Sequence, residues 1–185
     1  MRLYMGLIHF PVYNKNYEKI ASAITTLDIH DLARLAKTHG VKRLFIVTPL
    51  DDQQTLARRV LRHWIDGYGG QYNRHRKEAL ELVCVVTDLN RAIQKIKESE
   101  GEVPLIIATD ASNQKDRSMS YGKARGIIQE DKAVILLFGT AWGLHEEVMT
   151  KADNILDPVS GKTGYNHLSV RAAAAIILDR LAGEI

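Results

Sequence analysis

Chemistry in this chain would gather where apolar runs stop and small or polar residues begin. That happens three times, at "TDASNQ" from Thr109, "GTAWGL" from Gly139 and "DPVSGKTGYNHL" from Asp157. Glycines such as Gly139 and Gly143 let a backbone come close to a ligand. Their spacing fits neither common nucleotide fingerprint. "SGKTG" contains Gly-Lys-Thr, but a phosphate-binding P-loop needs a glycine where Leu156 stands. "GTAWGL" has its glycines four positions apart, whereas the dinucleotide fingerprint wants them at about positions 0, 2 and 5. His145-Glu146-Glu147 lacks a partner histidine at zincin spacing, and no Cys/His pair has zinc spacing. A Gly-x-Ser-x-Gly elbow is also missing. Hydrolase, kinase-like and metal-centred readings are therefore weak, and no metal ligands are assigned.

These loops need elements to hold them. Residues 43–48 (RLFIVT), 82–86 (LVCVV), 104–108 (PLIIA) and 133–138 (AVILLF) are continuous in apolar side chains and do not alternate. Strands buried on both faces of a parallel sheet read this way. "LYMGLIH" near the start and "NIL" at 154–156 are weaker strand candidates. Helical spacing places Leu56, Ala57, Val60, Leu61, Trp64 and Ile65 on one face of residues 51–66. Leu89, Ile93 and Ile96 do the same after Asp88, which reads as an N-cap. The last segment, from Val170 to Leu181, has Ser169 as N-cap and Gly183 as stop signal. Alternating strands and helices predict an α/β fold, a mostly parallel sheet flanked by helices. In such sheets ligands bind outside the carboxyl ends of the strands, where the three loops fall. Residues 67–77 and 160–167 read as the loosest stretches.

A chain of 185 residues is read as one domain, 1–185. Apolar content of 45% and charged content of 25% fit a globular protein. No apolar run is long enough to span a membrane, and the N-terminal segment is badly flanked for a signal peptide. The one cysteine, Cys84, lies inside "LVCVV" and reads as a buried structural thiol. A cytoplasmic protein without disulfides is expected. The formal net charge of +3 is compatible with a nucleic-acid partner and decides little alone.

Three blocks in order resemble the SPOUT class, the α/β-knot RNA methyltransferases that use S-adenosylmethionine. "DIHDLARLAKTHGVKRLFIV" (28–47) is similar to the Asn-x-Gly-x-x-x-Arg…Gly-Val block of the ribose-methylating branch, with Arg34 on the arginine and Gly40-Val41 before the strand. "ILLFGTAWGL" is similar to the family's strand and Gly-x-Glu-x-x-Gly-Leu loop. "ILDPVSGKTGYNHLSVRAAAAIIL" (155–178) is like its last loop and alanine-rich helix. The departures are Asp28 for asparagine, His30 for glycine, Ala141 near the glutamate and Ser169 for asparagine. The glycine-rich signature of the tRNA guanine-N1 branch is absent. The chain therefore resembles a set of small proteins described only as SAM-dependent RNA methyltransferases.

The resemblance implies a C-terminal deep trefoil knot, with residues 157–168 and the last helix threaded through an earlier loop. It implies S-adenosylmethionine as cofactor, tRNA or rRNA as partner, and a homodimer. The cofactor-binding residues carried over are Thr109, Asp110, Gly139, Thr140, Gly143, Leu144 and Leu156, then Asn166, His167, Leu168 and Val170. For the three leucines the competing reading is core packing. Arg34 and Asp110 are the catalytic candidates. Arg34 would grip an RNA phosphate or lower the pKa of an acceptor hydroxyl, and is otherwise a solvated helix arginine. Asp110 would act as base or hold the donor's amino group, and otherwise caps the following turn. Ser169 reads as an N-cap before a catalyst.

Two basic groups compete for RNA. Arg58, Arg59, Arg62, His63 and "RHRK" (74–77) are interleaved with Trp64, Tyr68 and Tyr72, which suits phosphate contact and stacking. Arg117, Lys123 and Arg125 lie nearer the expected site and are preferred. The reading is an RNA methyltransferase acting on a ribose 2′-hydroxyl or a base nitrogen. The alternatives are a non-catalytic knotted protein that binds RNA or cofactor, and a Rossmann-like nucleotide enzyme whose fingerprint is missing.

Overall fold

The structure, a computed structural model, describes residues 1–184 apart from the Lys115 side chain. Seven strands form one parallel sheet in the order β5-β4-β1-β8-β6-β9-β7. They are β1 (Leu3–Ile8), β4 (Arg43–Val47), β5 (Val83–Val86), β6 (Leu105–Thr109), β7 (Ser118–Met119), β8 (Val134–Gly139) and β9 (Asn154–Leu156). A small antiparallel pair, β2 (Val12–Tyr13) and β3 (Lys19–Ile20), stands beyond the end of β1.

The opening run, weakest of the strand candidates by residue type, is the centre of the sheet. All six β1 residues are buried, and β1 pairs with β4 on one side and β8 on the other. Gly6 and Met5 have little intrinsic strand preference, so pairing on both edges decides the matter. From β1 the chain moves outward to β4 and β5, and later fills the opposite side through β6 to β9. The strand order thus reverses between β1 and β8, the place in an open sheet where ligands are expected beyond the carboxyl ends.

Helices cover both faces. One core joins β1, β4 and β8 side chains such as Leu3, Leu44 and Leu136 to α1 (Thr26–Thr38), α6 (Tyr121–Gln129) and α8 (Val170–Ala182). The other packs Ile135 and Leu137 under α5 (Leu89–Glu100) and α7 (Glu146–Met149). Asp88 and Ser169 cap α5 and α8 through the amides of Arg91 and Ala172, as expected from sequence. Gly183 ends α8. Among the described residues no helix is long and apolar enough to cross a membrane.

Two expectations need correction. Residues 67–77 are not loose. After α2 (Asp51–Ile65) they form α3 (Tyr68–Tyr72) and the first turn of α4 (Arg74–Leu80), which packs on α1. Asn73 caps α4 through the amide of Arg76. Gly69 sits so close to the Trp64 indole that a Cβ would fall 2.7 Å from its Cε3. Gly69 is therefore there for close approach. Cys84 is half-buried rather than buried, because β5 is an edge strand.

Candidate functional site

The carboxyl ends of β1 and β8 are locked together by a short polar chain. The Thr140 hydroxyl donates to the Ile8 carbonyl at 2.9 Å and meets the Ser22 hydroxyl at 2.5 Å. Ser22 in turn lies 3.0 Å from His9 Nδ1. His9 is fully buried, and its Nε2 has no partner. Burial pushes its pKa down to about 4, while the nearby Asp28 carboxylate partly opposes the shift. His9 is thus a neutral ring under the loop. Sequence reasoning missed it and Ser22 because β1 ranked as a weak strand, so its carboxyl-end loop was not counted.

The loop from β8 turns tightly. Gly143 donates to the Thr140 carbonyl at 3.0 Å, and Ala141 sits in the left-handed region with φ of 52°. A left-handed alanine is strained, and such residues cluster at functional sites. β2 clamps the turn from outside. Tyr13 donates to the Gly143 carbonyl and accepts from the Trp142 amide, both at 3.0 Å. At Gly139 the chain folds back so closely that a Cβ would meet the Leu144 amide nitrogen at 2.7 Å. At Gly143, with φ of 105°, a Cβ would meet nothing within 4 Å. The turn therefore presents open backbone beside Trp142, which is 62% exposed.

The other two loops reach the same edge. Thr109 donates to the Leu137 carbonyl at 2.9 Å, tying β6 to β8. Asp110 accepts from the Ser112 amide and hydroxyl, both at 2.6 Å, so its carboxylate caps the following turn. Asn166 donates to the Ala111 carbonyl at 2.6 Å and joins the last loop to the loop after β6. His167 is exposed, with its ring 5.3 Å from that of Tyr165. Leu168 is also exposed and Val170 half-buried, whereas Leu144 and Leu156 are buried in the two cores. Of the three leucines weighed as packing or contact, only Leu168 turns its side chain outward.

Arg34 is exposed on α1 and lines a shallow groove of about 420 Å³ with Asp31, Leu35, Thr38, Arg171 and Ala172. Arg171, in the first turn of α8, reaches Asp28 and Asp31 of α1, each at 3.5 Å. The preferred basic group is mostly occupied inside the protein. Arg117 donates to the carbonyls of Met149 and Ala152, both at 2.8 Å. Arg125 donates to those of Arg180 and Gly183, at 3.1 and 2.9 Å. Lys123 alone of the three is exposed. The sequence places these arginines near the site but does not show that helix ends with unpaired carbonyls would take up their donors.

A parallel α/β sheet carries three loops at the carboxyl edge of its neighbouring strands β8, β6 and β9. Comparison with known proteins gives the class. Residues 2–183 match the family described as SAM-dependent RNA methyltransferase, and the chain belongs to that family. It is 44% identical over 182 residues to the tRNA (guanine-N(1)-)-methyltransferase of Oleidesulfovibrio alaskensis, covering 98% of this chain and 42% of that protein. It therefore spans less than half the length of that relative. In fold it is similar to a putative methylase family protein from Neisseria gonorrhoeae, with TM-score 0.66 and 17% identity, covering 99% of this chain and 82% of that one. It is also similar to an AdoMet-bound rRNA methyltransferase from Sinorhizobium meliloti, with TM-score 0.57 and 14% identity, covering 97% and 55%. The SPOUT resemblance read from the three blocks holds at the level of family and fold.

Proposed function

We propose that this chain transfers a methyl group from S-adenosylmethionine to RNA, with the donor held at the carboxyl edge between β8, β6 and β9. The observation that carries this reading is that the three loops leave the neighbouring parallel strands β8, β6 and β9 at one edge, with the last two joined by the Asn166–Ala111 bond and the first an open glycine turn. The site fits a nucleoside-bearing donor. Trp142 stands exposed next to open backbone at Gly143, and the last loop exposes Leu168; ligand pockets are largely apolar with few polar groups. S-adenosylmethionine would supply an electrophilic methyl on sulfur, so the chain needs mainly to orient donor and acceptor. Thr109, Gly139, Thr140 and Gly143 would hold it from two loops, and Asn166, His167, Leu168 and Val170 from the third. Leu144 and Leu156 would contribute their backbone, since their side chains are buried. Asp110 shapes its loop through the turn it caps, and Arg34 is the side chain free to grip the acceptor strand or lower the pKa of its hydroxyl.

The chain is read as one SPOUT-like domain over 1–185, acting on tRNA or rRNA as a cytoplasmic homodimer. The α1–α8 groove carrying Arg34 is the face that would bring Arg34 to a partner's site. β9 lies between β6 and β7, while α7 before it and α8 after it cover opposite faces of the sheet. That path supports the trefoil knot, in which residues 157–168 and the last helix would thread through an earlier loop, the β6–β7 connection. The test is incubation with labelled S-adenosylmethionine and RNA lacking its modification, followed by digestion to nucleosides. Incorporation falling about a hundredfold on Arg34→Ala supports the reading. Donor binding without transfer to any RNA would establish the non-catalytic alternative, and no donor binding at all would sink the site.

A further inference from the structure

Basic charge in this chain is concentrated far more than its total suggests. Residues 58–77 carry six Arg/Lys against one Asp, a net +5, while the whole chain is +3, so the other 165 residues sum to −2. This segment runs from the second half of α2 through α3 into α4. It also displays two aromatic rings. Tyr68 and Tyr72 are 71% and 75% exposed, and stack on each other with centroids 6.1 Å apart and planes 25° apart. Most of both tyrosine surfaces is left to solvent, and the two rings stand side by side.

The display is held firmly. Cβ atoms at Gly69 and Gly70 would fall 2.7 Å from the Trp64 ring and the Trp64 carbonyl, so α3 is pressed onto the end of α2. The Arg76 guanidinium lies 4.6 Å from the Trp64 ring, and the His63 ring meets Trp64 edge-on at 5.3 Å. The patch continues onto α1. His30 meets the same indole edge-on at 5.3 Å, and Arg34 follows His30 at the next turn of one helix face. Arg34 and Arg76 both act electrostatically on His30, joining burial in lowering its pKa. Basic side chains therefore run from the α1–α8 groove to the tyrosine pair.

We propose that the α2–α4 face is the RNA-docking surface, with Tyr68 and Tyr72 stacking unpaired bases while the exposed arginines Arg59 and Arg62 hold the adjoining phosphates; Arg74 is paired with Glu78 at 3.1 Å. This rests on the methyltransferase reading for its partner and stands on separate residues. A paired duplex hides its base faces, whereas a single-stranded loop offers them to aromatic platforms. Excess positive charge beside exposed rings selects a polyanion with π-faces over an acidic protein. The docked strand would lead along α1 to Arg34.

The full chain is tested by fluorescence anisotropy with a labelled, unstructured RNA oligonucleotide and with bulk tRNA across a salt series. Tyr68→Ala/Tyr72→Ala is expected to weaken binding by about tenfold or more, and Tyr68→Phe/Tyr72→Phe to restore it. Arg59→Ala/Arg62→Ala is expected to flatten the logarithmic salt slope by about 1 to 2. Binding of S-adenosylmethionine by calorimetry should be unchanged in every variant, which shows an intact fold and donor site. Unaltered RNA affinity in the tyrosine and arginine variants overturns the proposal, even if methyl transfer proceeds. A variant that changes sedimentation while RNA binding holds would make the face a protein contact, and that too overturns it. RNA binding lost as described by a wild type that transfers no methyl would instead leave the surface standing and defeat the catalytic reading.

Discussion

Replacing Gly139 with alanine tests whether loop geometry makes the donor site. A Cβ there would lie 2.7 Å from the Leu144 nitrogen, 2.9 Å from the Gly143 carbonyl carbon and 3.1 Å from the Gly143 Cα. All three are backbone atoms, so no side-chain rotation relieves the clash. The turn has to open, which strains the Gly143–Thr140, Tyr13–Gly143 and Trp142–Tyr13 bonds, each 3.0 Å long. Overpacking costs about 1–3 kcal/mol, and each broken bond about 0.5–1.5 kcal/mol. With one bond lost, destabilisation comes to about 3 kcal/mol. For a chain of this length that lowers the melting midpoint by roughly 6–12 °C. Donor affinity should fall at least tenfold, about 1.4 kcal/mol, because the backbone beside the ligand has moved. Calorimetric titration with S-adenosylmethionine and melting of the same preparation read both effects. Gly122→Ala on α6, whose Cβ would meet nothing within 4 Å, is the comparator. It should gain about 0.5–1 kcal/mol of stability with donor affinity unchanged. Should Gly139→Ala bind and melt like the wild type, the loop has slack and the site is not built as described.

Acid should weaken the fold through His9. Its folded pKa of about 4 lies below the unfolded value, which is about 6.5. Between these values the unfolded chain takes up a proton that the buried ring does not. The contribution is therefore full above the unfolded pKa, and falls by about 3 kcal/mol as pH drops through the window to the folded one. Denaturant titrations across that window should show the slope in the wild type and lose it in His9→Gln. Ala141→Gly removes a left-handed alanine at φ 52°. Relief of about 1–2 kcal/mol, offset by glycine's unfolded-state entropy, should leave the variant equally stable or up to about 1 kcal/mol more so. Melting curves check this, and a loss larger than about 1 kcal/mol would mean that the methyl group packs against the loop.

Residue type carried the outer logic of the site. Gly139 and Gly143 stood out because an apolar run ends at the first and the second closes the same turn; close backbone requires glycine at Gly139, and a φ of 105° favours it at Gly143. Asp88 and Ser169 announced their helices for a local reason, since an N-cap bonds within its own turn. Leu144 and Leu156 could be read either as ligand contacts or as core, because a leucine looks alike in both settings; the structure buries both side chains. For Arg117 and Arg125 a sequence shows a cation's charge but not the distant carbonyls it finds, at Met149 and Arg180 among others.

By itself, then, the sequence determined a parallel α/β sheet, the three loops at its carboxyl edge and the likeness to a methyltransferase class. These rest on period, local capping and motif order, all of which lie within short stretches of chain. Only the tertiary structure decided that β1 is central, that His9 and Ser22 brace the Thr140 loop, and that the glycine-rich stretch after α2 is helical with its two tyrosines stacked. Those facts depend on strand pairing and on contacts between residues far apart in sequence, such as Ser22 with Thr140. No local pattern encodes them, because burial and partner choice are properties of the packed whole.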